Sequence, residues 1–152
     1  MAIFDAMFEF MDNNVLTGST TTLYKPDTGK ELNWGDNGLE MGAGEPVYIN
    51  FKVGLTAYSG GTSVDFKLFA DDGTEGHDSS SIAVISSGPR AVGTLTAGAW
   101  ILRSVLPVNV DIEQYLLPGA TFVGNVNAGT LDVWLDHGSQ SSYDTQVSAS
   151  NI

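Results

Sequence analysis

An antiparallel two-sheet β-sandwich, all-β and most simply a jelly roll, is the fold that this sequence predicts, and three observations predict it. Apolar and polar residues alternate with period two in Val47 to Val53, Val64 to Phe69 and Leu131 to Asp136, the signature of strands with one dry and one wet face. Short apolar runs bounded by Gly, Pro or Ser recur at intervals of roughly 8–15 residues, which gives about seven or eight strands. No helical pattern is long enough to cross over between parallel strands. Composition agrees: charged residues make up only 16 % of the chain while Gly number 18, which suits pleated strands joined by tight turns.

In chain order, Ile3, Phe4, Met7, Phe8 and Met11 stand at spacings that one or two helical turns would gather on one side, and a strand is equally open to them. Asp12-Asn13-Asn14 then leads into the Thr-rich Val15 to Tyr24, which reads as extended, and KPDTGK reads as a turn. Gly35-Asp36-Asn37-Gly38 holds an Asn-Gly pair that tolerates positive φ. The clearest strand is Val47 to Val53, with Pro46 just before it where a missing donor does little harm. Ser59-Gly60-Gly61-Thr62 predicts a hairpin-like connection into the strand Val64 to Phe69. Ile82 to Ile85, Ala99 to Leu106 and Ile112 to Leu117 are further short strands, and Leu131, Val133 and Leu135 form the buried side of the last one. The organisation is one domain: an apolar and Thr-rich segment (1–24) joining the sandwich, the sandwich itself (25–138), and a Ser/Gln/Asn-rich tail (139–152) expected to order only on a partner.

Charge narrows the function. Six Lys+Arg against 18 Asp+Glu leave a net charge of −12, which repels nucleic-acid phosphates and anionic membranes and argues against either as a partner. Absence of cysteine excludes disulfides, thiol catalysis and zinc-thiolate sites. The start, MAIFDAMFEFMDNN, has acids where a secretory signal needs bases, and no apolar run approaches the roughly 18 residues of a membrane span. A protein made and kept in a cytoplasm is expected.

Candidate chemistry is thin. Asp71-Asp72-Gly73-Thr74-Glu75-Gly76-His77-Asp78 carries oxygen ligands and a histidine, but it lacks the spacing of a calcium loop and is ordinary turn chemistry. His77 and His137, the two histidines, read as solvated turn residues, and no Gly-x-Ser-x-Gly elbow accompanies them. Gly42-x-Gly44 leads into a strand and not a helix, so it offers no phosphate loop. Trp34, Trp100 and Trp134 are open to two readings, sandwich core or a surface that stacks on a partner or a sugar. No catalytic residue, metal or cofactor is expected.

The segments FDAMFEFMDNNVLTGSTTTLY, GLEMGAGEPVYINFKV, SVDFKLFADDGT, LTAGAWILRSVLP and QYLLPGATFVGNVNAGTLDVWLDHG together resemble the Bbp16-like capsid cement proteins of tailed phages. Gly42-Ala43-Gly44-Glu45-Pro46 is the most specific piece, and KPDTGKELNW and the tail after His137 depart from the pattern. The resemblance implies a jelly-roll decoration protein that sits as a homotrimer on the outer surface of an icosahedral head, bridges major capsid protein subunits and stabilises the shell. The alternative is a carbohydrate- or receptor-binding jelly roll of a virion, and a small hydrolase is a weaker third. Five large apolar residues before the first clear strand exceed what a free terminus exposes. Ile3, Phe4, Met7, Phe8 and Met11 are therefore expected at a trimer or capsid contact, with Trp134 joining them as an interface aromatic.

Overall fold

The computed structural model describes residues 9–24, 32–33, 46–71, 82–106 and 115–137. Within them lie eleven strand segments: β1 (Glu9–Val15), β2 (Thr21–Leu23), β3 (Leu32–Asn33), β4 (Val47–Val53), β5 (Ser59–Gly60), β6 (Ser63–Asp71), β7 (Ile82–Ala91), β8 (Trp100–Val105), β9 (Tyr115–Val123), β10 (Val126–Ala128) and β11 (Thr130–His137). The one helical element among the described residues is a 3-10 turn, Val92–Thr94, so none is long and apolar enough to cross a membrane.

Two antiparallel sheets make the sandwich. One has the order β1-β11-β4-β8; the other has the order β2-β9-β6-β7 with β3 also on β9, and β5 with β10 form a small ribbon. Taking the eight strands of the two four-strand paths in chain order, the first pairs with the last, the second with the seventh, the third with the sixth and the fourth with the fifth. This nested pairing is compatible with the expected jelly roll.

Period-two burial places the core between the sheets. Ile49, Phe51 and Val53 of β4 and Leu131, Val133 and Leu135 of β11 meet Val64, Phe66 and Leu68 of β6 and Ala120 and Phe122 of β9 in one cluster. Phe51 and Phe66 have no exposure at all; each fully buried side chain of this size contributes about 1.5–3 kcal/mol. Tyr58 packs edge-on against Phe66 with ring centroids 5.4 Å apart, and burial drives its phenol above the ordinary tyrosine range.

The strand Val47–Val53 has the predicted bounds, β6 and β11 lie where the alternation put them, and β8 lies within the apolar run Ala99 to Leu106. Four details add to that pattern or depart from it. Asp12-Asn13-Asn14 lies within a strand, β1, which runs through it by two register shifts, with Asn13 at φ 52, a conformation that Asn tolerates better than most residues. Ser59 to Thr62 is no hairpin, because β4 and β6 belong to different sheets and Ser59–Gly60 pairs instead with β10; positive φ at Gly60 and Gly61 lets the chain cross between layers. The strand Ile82–Ala91 outruns its apolar run and carries Pro89, which an edge strand accepts.

Last, β9 runs straight through Pro118-Gly119, between β6 on one side and β2 and β3 on the other. The Pro118 carbonyl accepts from the Tyr24 N–H at 2.8 Å, so its missing donor faces the flank where β3 has ended and β2 has yet to begin. The ladder to β6 stays whole.

Phe66→Ala removes a side chain with no exposure that touches both layers. The expected cost is about 3–5 kcal/mol, read as a shift of the urea midpoint without a change of slope.

Candidate docking surface

Among the described residues, the outward ones of the β1-β11-β4-β8 sheet gather aromatic and charged side chains on one surface, and their positions follow from register. Trp134 pairs with Asn50, Asp132 with Lys52 and Asp136 with Tyr48. Asn50 pairs in turn with Arg103, and Lys52 with Trp100 across a shift after Phe51. Because the odd-numbered residues of β4 and β11 fill the core, their even-numbered side chains stand on the outer face, together with the β8 residues paired to them, Arg103 and, past the shift, Trp100.

Two aromatic and cationic pairings organise it. Trp100 is 57 % exposed, tilts against Trp134 with centroids 5.5 Å apart, and has the Lys52 ammonium 5.7 Å from its ring centre. The Arg103 guanidinium lies 5.1 Å over Tyr48 and 3.6 Å from Asp136 Oδ1, while Asn50 donates from Nδ2 to Asp136 Oδ2 at 3.0 Å. Asp136 is nearly buried and Asn50 fully so. Pairing with Arg103 and Asn50 makes a buried carboxylate tolerable there.

Carboxylates collect at the β1 side. Exposed Glu9 pairs across the ladder with Trp134. Its carboxyl is pushed above the ordinary glutamate value, first by partial burial and then by the like charges of Asp12 and Asp132. At the end of the same sheet a hydrogen-bonded knot fixes the loop after β4. Asn13 Oδ1 accepts from the Leu55 N–H at 2.8 Å and from the Thr130 hydroxyl at 2.7 Å. Asn13 N–H donates to Asp132 Oδ1 at 2.6 Å, and Thr56 N–H donates to Thr130 Oγ1 at 3.0 Å. Gly54 is required beside them, since an added Cβ would lie 2.6 Å from both side-chain oxygens. Leu55, 83 % exposed, and Val15, 66 % exposed, are held out from this knot.

The residues expected at an interface fare differently. Ile3, Phe4, Met7 and Phe8 lie outside the described residues. Met11 pairs with Val133 and is 1 % exposed in the chain's own core, because β1 closes the sheet beside β11 and turns that side chain inward. Trp134 stands on the outer face, half-buried against Trp100. Trp100, open in the sequence to a core or a surface reading, is on that face too.

Asp71 closes β6 and is fully buried, whereas residues 72–80 with His77, the ring of Trp34 and the His137 side chain lie outside the described residues. Among the described residues no three His, Cys, Asp or Glu side chains gather as a metal site. Alternation alone could not have found Glu9, Asn13, Leu55 or Val15 as features, since each depends on a bulge or a loop whose place only the fold sets.

A family model described as Bbp16 matches residues 10–135, from the second residue of β1 nearly to the end of β11. No curated protein matches the chain.

Two stability predictions follow from this surface. Asn13→Ala strands the Leu55 N–H and the Thr130 hydroxyl and keeps a positive φ, so it is expected to lower stability by about 1–3 kcal/mol in chemical denaturation. Glu9→Gln removes a charge whose folded-state pKa is raised. The ionised wild type therefore carries a penalty at neutral pH that fades as pH falls through that folded value. The variant should melt higher than wild type at pH 7, with the difference disappearing in acid.

Proposed function

Because the chain belongs to the Bbp16 family, a phage-related family, we propose that it is a virion structural protein, a capsid cement protein. In this reading it binds the outside of an icosahedral phage head, as a homotrimer, and bridges major capsid protein subunits to stabilise the shell. The observation that carries the reading is the family match across residues 10–135, which takes in the whole sandwich and not one motif.

The architecture supports it physically. A double-layered β-sandwich around one closely packed core is stiff, and stiffness matters for a clamp because little freedom is lost when it docks. Several such contacts on one shell act together, so that loosening one subunit requires breaking more than one interface, which is avidity. The role asks for no catalytic step, cofactor or metal. Strong negative charge keeps the chain off the packaged nucleic acid and directs it to a protein surface.

A second reading, a glycan-binding module of a virion, is favoured by one observation: Trp100 is exposed beside Trp134, and exposed indole faces stack on sugars. It predicts glycan-dependent change in tryptophan fluorescence.

The cement reading is tested with expanded heads that lack the chain. Purified protein is expected to co-sediment with them to a fixed stoichiometry and to raise the temperature at which they rupture. Absence of saturable binding to expanded and to DNA-filled heads would sink it.

A further inference from the structure

We infer that the chain docks through the outer face of the β1-β11-β4-β8 sheet, and that the occupant is a protein surface presenting Lys or Arg side chains around an apolar centre. This rests on the coat-binding reading and adds the face and the chemistry that it uses.

Exposed apolar area points to that face. Six large hydrophobic residues are exposed among the described residues, and four of them, Val15, Leu55, Trp100 and Val105, belong to this sheet or to the loop at its end. The remaining two, Ile82 and Val123, sit apart on β7 and β9 of the other sheet. By register Val105 lies opposite Tyr48 and Trp100 opposite Lys52, so both emerge on the outer side with Trp134. Trp100 braced on Trp134 offers a broad ring with few torsions to freeze, the kind of residue that anchors interfaces. Leu55 is likewise preorganised, since its backbone is tied to Asn13 and that residue to Thr130 and Asp132.

Charge decides the occupant. Glu9, Asp12 and Asp132 crowd the β1 side, close enough for the two aspartates to act on Glu9. Lys52, opposite Asp132 in the ladder, is drawn over Trp100 and Arg103 is engaged by Asp136 and Tyr48, so these two cations are already committed to the face's aromatic rings. A second copy would bring the same carboxylates and the same net charge of −12 against them. A neutral glycan would leave the repulsion as it is. A cationic side chain set between the carboxylates and the indoles relieves it, gaining both an ion pair and a cation–π contact.

The test measures binding of the purified chain to expanded heads that lack it. Trp100→Ala and Glu9→Lys should each weaken binding about tenfold or more, and raising salt from about 0.1 M to about 1 M should weaken the wild type. Ile82→Ala, an exposed apolar residue of the other sheet, should change it by less than about twofold. Glu9→Lys should melt no lower than wild type, because it removes a repelled charge, so lost binding cannot be lost folding. If wild type binds and both variants bind equally well, the inference falls and the coat-binding reading stands. If wild type does not bind, that reading fails and takes the inference with it. Salt-independent binding competed by free oligosaccharide overturns the inference in favour of a glycan. Conversion of an oligomer into monomers by Trp100→Ala, with head binding kept, overturns it in favour of a second copy.

Discussion

Between the two sheets, Ile49, Phe51 and Val53 of β4 and Leu131 and Val133 of β11 meet Val64, Phe66 and Leu68 of β6, none of them exposed. Every outward position follows from that inward set, because a strand has only two sides and a shift of one residue would exchange them. Tyr48, Lys52, Asp132 and Trp134 share a surface for this reason and no other. The burial of large apolar side chains in the middle is thus what assembles polar and aromatic ones outside.

Nested pairing has a cost in chain entropy. The first strand lies beside the last, and the Asn13 to Thr130 hydrogen bond joins residues 117 positions apart. Such contacts reward the chain only after most of it has been ordered, so folding is expected to be slow for the chain's size. Closing the sheet in this way also brings Glu9 and Asp12 to Asp132, an electrostatically unfavourable arrangement that the core contacts hold in place. Unfavourable groupings retained by a stable scaffold concentrate at functional sites.

The outer face is mixed, and the mixture has a physical logic. Asp136 is almost buried between Arg103 and Asn50, which pins the orientation of Arg103 over Tyr48. Trp134 in turn supports Trp100. A surface whose large side chains are already braced against one another presents a fixed shape, and fixed shape is what a shell-binding protein of the Bbp16 family needs under the cement reading.

Sequence alone determined the class, the sides of the central strands and the anionic character, since each is a local or summed property: period two reads directly from Val47 to Val53 and from Leu131 to Asp136. It placed Trp134 opposite the core residues of its strand for the same reason. It could not place Met11, whose inward turn depends on a bulged strand finding β11 more than a hundred residues away. Nor could it show β9 passing through Pro118, because a proline is harmless only on the side where its nitrogen is asked for no ladder bond, and that side is set by how β6, β2 and β3 flank β9. Exposure of Trp100 and the grouping of Glu9 with Asp132 were likewise decided by which strands become neighbours. Neighbourhood between distant strands is set by the packing of the whole core, and no stretch of residues carries it alone.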